Sequence, residues 1–323
     1  MLILFTVFLT LEFDIDVIIM TTSTQIETIS EYLVPTRYLR YKIRFKRFWG
    51  LYTDSPFGLI GLYLVIFFLV IGITPQILAP YDPNISMTGG RNAAPSTAHP
   101  LGTDRIGRDI FSQMIAGTQI SLLIGLTAAF IAVIIGTLFG IVAGYYGGWS
   151  DTILMRLTDF FIQLPQLPLM LVFVALFGPG VENLIIIIGL LGWTGTSRMV
   201  RAESLSIKER AFVEATRAVG ASNRHIILDH ILPNVLPLVF ANMILGVVNA
   251  IISESALSFL GFGVTGQWSW GRVLYEARRE DAMITGAWWH FIPPGICIML
   301  VALGFALISF SLNEVLNPRL RER

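Results

Sequence analysis

Charge is what this 323-residue sequence has least of. Asp, Glu, Lys and Arg make up 14% of it against 54% apolar residues, too few to wrap a soluble domain of this length in a polar surface. Lysine is confined to Lys42, Lys46 and Lys208, and none of them follows a glycine. A phosphate-binding loop of the Gly-Lys-Ser/Thr type is therefore excluded, and with it an ATPase built into the chain. The formal net charge is zero, which gives no bias toward a nucleic-acid partner. The single cysteine, Cys297, stands in an apolar run, so a disulfide framework is excluded and a packed thiol is the plain reading. Histidine occurs only at His99, His225, His230 and His290. None has the His-Glu-x-x-His spacing of a zinc protease, and no nucleophile sits in a recognisable catalytic motif, so an enzyme is not expected.

What is present suits a bilayer. About 20 consecutive apolar residues span the hydrocarbon core as a helix, which open strands and loops cannot do. Nearly charge-free stretches mark six such spans. The first covers 55–81. The second, 110–150, exceeds one span and is expected to open with an amphipathic piece before a helix at 120–146. The third follows Asp159 and ends at Gly178, Pro179 and Gly180. The fourth is short, 183–197. The fifth starts at Pro233, well placed in a first helical turn, and runs towards Leu260. The sixth occupies 284–313. The expected fold class is thus all-α, a multi-pass protein of the cell membrane. Its expected parts are an N-terminal segment 1–54, a first span 55–81, an extracytoplasmic segment 82–119, a core 120–316 with a polar loop at 201–232, and a tail 317–323.

Positive charge orients it. With the N-terminus inside, the inner segments hold Arg37, Arg40, Lys42, Arg44, Lys46, Arg47, Arg156, Arg198, Arg201, Lys208, Arg210, Arg217, Arg224, Arg319, Arg321 and Arg323. The outer segments keep Arg91, Arg105, Arg108, Arg272, Arg278 and Arg279. Sixteen against six places both termini in the cytoplasm. Residues 1–19 are apolar, too short to span, and lack the basic lead of a signal peptide. Met20 opens a more ordinary polar leader and is an alternative start.

The loop at 201–232 is the most informative stretch. It reads as two short helices. Ser206 with Glu209 is expected to form a capping box for the first, and Gly220 to end it in a left-handed conformation. Ser222 can cap the second, and Pro233 is expected to make the backbone restart. Ala211, Ala215 and Ala218 share a face with Phe212 and Val219 nearby, which suits docking into a groove better than it suits a merely solvated loop. This stretch resembles the EAA loop of ATP-binding-cassette import permeases. Glu214, Ala215, Thr216, Gly220, Leu232 and Pro233 stand at the family's spacings, with Thr216 for the second alanine and His230 where isoleucine is usual. The resemblance implies a coupling helix, involving also Phe212 and Arg217, that seats in a cleft of a cytoplasmic ATPase subunit.

A second match narrows this. The segment HPLGTDRIGRD carries His99, Gly102, Asp104, Gly107, Arg108 and Asp109, and Ser112, Gly117, Ser121 and Leu122 follow it. It is similar to the extracytoplasmic signature of the second permease of oligopeptide and dipeptide importers, with Gln113 in place of an expected arginine. ESALSFLGFGV from Glu254, the SWG motif at Ser269, and NPRL at Asn317 agree. The resemblance implies half of a translocation pathway for peptides. It further implies a second homologous permease, two ATPase subunits that bind ATP and magnesium, an extracytoplasmic substrate-binding protein, and no cofactor on this chain. The same machinery serves oligosaccharides and nickel in related importers, and the spans do not choose between them. On its residues alone, the 99–109 segment is as readily a self-satisfied structural cap as a surface for the binding protein.

Gly136, Gly140 and Gly144 line one helix face and invite close approach of another helix. Pro165 and Pro168 should loosen the third span, leaving Gln163 and Gln166 at membrane depth. Asp159 and Glu254 are candidates either for lining the pathway or for interhelical hydrogen bonding. Asn242, Asn249 and Ser253 read as packing contacts, and His290, beside Trp288 and Trp289, as part of an interfacial aromatic belt. An ion-gradient-driven secondary transporter is the chief rival, but a carboxylate relay and matched internal repeats are missing.

Overall fold

The computed structural model describes residue 50 and residues 52–316. The basic cluster from Arg37 to Arg47, the alternative start at Met20, the tail arginines and the motif at Asn317 lie outside the described residues. Gly50 and Tyr52 to Asp54 belong to an N-terminal unit of their own, in which the Asp54 N–H donates to the Gly50 carbonyl at 3.2 Å.

From Ser55 onward the described chain is helical, with one isolated bridge between Thr103 and Asp109. Helix α1 (Pro56–Ile73) starts with proline in its first turn and the Ser55 hydroxyl accepting from the Gly58 N–H. It stops before Pro75, and a single turn, α2 (Pro75–Leu78), completes the expected first span. Helix α3 (Ile110–Tyr146) is capped by the Asp109 carboxylate, which accepts from the Ser112 N–H, and ends at Gly147 with φ of 67°. It is one unbroken helix of 37 residues, about 55 Å long. The separate amphipathic piece expected before residue 120 is therefore corrected. Ile110, Met114 and Ile115 are already buried, so the first turns belong to the core rather than to an interface.

Helices α4 (Gly148–Gln163) and α5 (Gln166–Phe177) meet at a 90° bend, and α6 (Val181–Leu191) and α7 (Thr194–Lys208) at a 41° bend. The first bend sits at Leu164 and Pro165, where the missing proline N–H interrupts the ladder. Helix α8 (Ala211–Ala218) is short and lies outside the spans. Helix α9 (Asn223–Phe262) runs through Pro233 and Pro237. The expected restart at Pro233 does not occur, because a π-helical turn at Ile226–Ile231 precedes it. There the Leu232 N–H reaches back five residues to the Ile227 carbonyl, so the backbone absorbs the proline without breaking. Helix α10 (Trp270–Arg279) is capped by Ser269, and α11 (Trp288–Leu316) closes the described chain. Among the described residues, four helices are long and apolar enough to cross a membrane alone, and six spans result when each bent pair counts as one.

Helix α3 runs through the middle of the bundle. Its glycine face meets α7 so closely that a Cβ on Gly140 would lie 2.6 Å from the Val200 Cβ, and one on Gly136 2.6 Å from the Trp193 carbonyl oxygen. The close approach anticipated for this face is made within the chain. Gly61 of α1 meets α11 in the same way, 2.7 Å from the Gly304 oxygen, and the Ser55 and Ser311 hydroxyls bond at 2.9 Å beside it. Phe68, Trp270, Ile251 and Val301 belong to one buried cluster, Ile124, Met170, Leu184 and Leu257 to a second, and Val200, Ile207, Val213, Ile226 and Val235 to a third.

Candidate functional site

The polar loop is built around one anchored helix. Helix α7 persists to Lys208 because Val200, Ser204 and Ile207 continue its buried face. Ser206 is therefore inside α7, and the capping box expected of Ser206 and Glu209 does not form. Arg210 is extended, and its carbonyl accepts from Val213 at 2.9 Å and from Glu214 at 3.2 Å to open α8. Val213 is fully buried against the cluster of Ile207, Ile226 and Ile231, which fixes α8 to the bundle by a single apolar peg. Phe212, Glu214, Ala215, Arg217 and Ala218 remain exposed, and Val219 is 85% exposed. The end of α8 is closed by two bonds, Gly220 N–H to the Arg217 carbonyl at 3.0 Å and Ala221 N–H to that of Thr216 at 3.3 Å. This pattern needs a left-handed residue between them, and Gly220 has φ of 83°. Ser222 caps the start of α9 by accepting from the His225 N–H. His230 packs its ring 5.8 Å from Phe212 and 5.5 Å from His225, tying the root of α9 to α8. Leu232 is half-buried in the same cluster and Pro233 exposed.

On the opposite side, residues 99–109 form a cap over the start of α3. The Asp104 carboxylate is fully buried and accepts four bonds: from the Ile106 and Arg108 N–H groups at 3.0 and 2.9 Å, the Arg108 Nε at 2.5 Å and the Gln113 Nε2 at 2.9 Å. Asp109 accepts from the Ser112 N–H and hydroxyl at 2.8 and 2.7 Å and pairs with His99 Nδ1 at 2.8 Å. His99 stacks on Tyr81. Gly102 and Gly107 have φ of 67° and 78°, and a Cβ on Gly102 would strike the Ala93 carbonyl at 2.5 Å. Trp268 lies between the guanidinium groups of Arg108 and Arg272, each 4.7 Å from its ring. Glu280 accepts from the Arg105 N–H at 2.9 Å; burial pushes its carboxyl above the usual range while that bond pulls it back.

Between these ends lie further polar groups on and between the helices. Asp159 pairs with Arg198 at 2.5 Å, and Asp151 is held by two bonds from Arg201, so two ion pairs join α4 to α7. Gln163 is exposed at the end of α4. Glu254 is fully enclosed, its carboxyl accepting from Ser258 at 2.6 Å and from Ser121 and Ser255 at 3.4 Å. Gln166 opens onto a cleft of ≈ 350 Å³ together with Thr194, Asn249 and Ser253.

Residues 136–322, more than half of the chain, match the family described as binding-protein-dependent transport system inner membrane component. The chain belongs to this family. The permease is 36% identical over 83% of its length to the dipeptide transport system permease protein DppC of Alkalihalophilus pseudofirmus, covering 87% of that protein. It is 34% identical to DppC of Bacillus subtilis over 84% of its length and 85% of the relative. To the glutathione transport system permease protein GsiD of Pectobacterium atrosepticum it is 34% identical over 85% of its length and 91% of the relative. It is accordingly a multi-pass membrane permease subunit of an ATP-binding-cassette importer.

The permease brings the six loop residues Phe212, Glu214, Ala215, Thr216, Arg217 and Gly220 onto or beside one helix, and the six cap residues into one buried network. Of the four polar candidates, only Gln166 reaches the cleft. Asp159 sits in the α4–α7 seam and Glu254 in the chain's interior. Asn242 donates to the Thr196 hydroxyl at 2.6 Å, as a packing contact should. The same reading for Asn249 and Ser253 is corrected, because both face the cleft instead. His290 is likewise corrected: it is buried, 3.7 Å from Glu280, and not part of an exposed belt. Thr194 went unnoticed in sequence, and its signal was the pair Gly192 and Gly195 flanking it.

The cap carries a testable energetic consequence. Asp104→Ala would strand the Arg108 guanidinium, the Gln113 amide and two backbone N–H groups. A loss of about 3–5 kcal/mol is expected, as for breaking one partner out of a buried ion pair. Thermal melting of the detergent-purified permease complex should fall sharply. An unchanged melting profile would mean that the four donors find other acceptors.

Proposed function

We propose that this permease forms half of a translocation pathway for peptides, pairs with a second permease, and is driven by two ATPase subunits that bind the ATP and magnesium. An extracytoplasmic binding protein delivers the substrate, and both termini lie in the cytoplasm. The observation that carries the coupling reading is α8: about two turns of helix outside the spans, pegged by Val213 and turning Phe212, Ala215 and Val219 outward. Exposed apolar side chains on an otherwise charged loop suit a protein groove better than water. The peptide reading is supported by the transport systems of the relatives, since glutathione and dipeptides share amide chemistry. The orientation is supported by the arginine and lysine distribution.

In this reading, closure of the ATPases around bound ATP displaces α8 and with it the end of α7. Helix α7 is locked to α3 along the glycine face and to α4 by the two ion pairs, so the three helices move as one body. The bends at Pro165 and Gly192 then supply the flexure. Nucleotide biases the inward- and outward-facing states only through its different affinity for each.

The test is purification of the tagged permease from its native membrane in mild detergent, with identification of bound chains and assay of peptide uptake after reconstitution. Two ATPase copies and a second permease should accompany it, and uptake should require ATP. Purification of the chain alone, with solute movement driven by an ion gradient, would overturn the reading.

A further inference from the structure

We propose that the cleft lined by Gln166, Thr194, Asn249 and Ser253 is the surface along which this permease handles its substrate, hydrogen-bonding to peptide amides and terminal groups without using charge. The proposal rests on the peptide-import reading above and deepens it.

Three independent features of the cleft point the same way. First, both of the strongly bent helix pairs open onto it: Gln166 begins α5 just past the 90° bend, and Gly192, Thr194 and Gly195 frame the 41° bend. Interrupted backbone at membrane depth is tolerated only where protein buries it or water lines it. Second, none of the four polar side chains takes a side-chain hydrogen bond from, or gives one to, another group among the described residues. Asn242, only seven residues before Asn249 on α9, does find a partner in Thr196. Unpartnered carboxamides facing lipid would be costly, so these face water or substrate. Third, Gly195 is not required by packing: an added Cβ would meet nothing within 4 Å. A glycine in a helix, with open space before it and no close neighbour, keeps a channel wall low.

The lining also fits the ligand class. The two carboxamides each offer two donors and one acceptor oxygen, and the hydroxyls offer both functions, matching the N–H and C=O groups of a main chain. Among the described residues no ionisable side chain lines the cleft, so peptides bearing either sign of charge meet the same surface there. Its volume of ≈ 350 Å³ falls within the roughly 300–1,000 Å³ of small-ligand sites. An uncharged, amide-matched wall binds weakly and without preference for the side chain, as passage requires.

The test uses the full transporter reconstituted with its binding protein and a radiolabelled dialanine probe, in a Cys297→Ala background. Asn249→Cys and Ser253→Cys should react with a membrane-impermeant maleimide in at least one nucleotide state, and dialanine in excess should slow the reaction. Gly195→Phe should accumulate normally in the membrane yet lose most uptake. Asn249→Leu should lower dialanine uptake by about tenfold, the worth of one or two hydrogen bonds. No labelling with or without ATP, together with normal uptake by Gly195→Phe, would mean that the cleft is sealed by the partner permease, and would overturn the proposal while parental dialanine uptake left the peptide reading standing. A parent transporter that imports no dialanine or other dipeptide would instead remove the peptide reading, and this proposal with it.

Discussion

Gly140→Leu is expected to remove almost all of the permease from the membrane. The glycine face of α3 meets backbone, not yielding side-chain tips: an added Cβ at 140 would stand 2.7 Å from the Ser197 carbonyl oxygen and 2.6 Å from the Val200 Cβ. The neighbouring turns offer no relief, since Gly136 and Gly144 are held equally tightly, 2.6 Å from the Trp193 oxygen and 2.7 Å from the Arg201 oxygen. Helix α7 would have to move away along its whole length, losing the van der Waals contact that drives helix association in lipid. Overpacking of a tight core costs about 1–3 kcal/mol per site, and here a whole helix pair separates with it. The separated pair would also expose the buried hydroxyls of Thr196, Ser197 and Ser204. Immunoblots of membrane fractions should show the loss directly. Gly195→Leu, on the same α7 but facing open space, serves as the matched control and should accumulate like the parent. Equal accumulation of both variants would show that α3 and α7 can part without harm to the fold.

The spacing of those three glycines made the close approach legible in sequence, but not its partner. Periodicity reports a face, whereas the identity of what meets it depends on the path of the chain, here the 41° bend that brings α7 alongside α3. Six spans were legible for the same reason that the bilayer permits few alternatives: charge-free length translates almost directly into helices. Details of continuity were not legible. Pro233 looks like a helix start because proline removes an N–H, yet a π-helical turn ahead of it shifts the bonding pattern by one residue and carries α9 through. Ser206 and Glu209 match a capping box by spacing, but Ile207 and Ser204 lie on the buried face of α7, and packing extended the helix past the local signal. In the cap, Asp104, Arg105, Arg108 and Asp109 were legible as groups able to pair around Gly107, but sequence left a structural cap and a docking surface equally open. It could not show that Asp104 is buried or that Gln113 supplies its fourth donor. The cleft was least legible of all. Gln166 stood out as polar among apolar neighbours, but Asn249 and Ser253 differ from the packing residue Asn242 only in the direction they face, which is a property of the bundle and not of the local sequence.

Ala215→Arg is expected to abolish ATP-driven uptake while leaving the permease in the membrane. Ala215 is exposed on α8, and the buried Val213 holds the helix in place without it. The substitution therefore leaves the chain's own packing alone, and arginine is a good helix former. What changes is the outward face, where a long charged side chain replaces a methyl group at the centre of the apolar patch with Phe212 and Val219. Disruption at the centre of a docking surface typically costs about 2 kcal/mol or more, roughly thirtyfold in affinity. Gly220→Pro attacks the same helix from within. Proline fixes φ near −65°, against the 83° found here, and removes the N–H that bonds the Arg217 carbonyl, so the closing turn of α8 opens. The two variants thus reach one outcome by unrelated routes, one through the surface and one through the backbone. In detergent extracts both should retain the second permease and lose the ATPase subunits, and in vesicles both should show no nucleotide-dependent uptake. Normal uptake by Ala215→Arg with the ATPases still bound would place the contact elsewhere on the cytoplasmic face, and α8 would then be only a tether between α7 and α9.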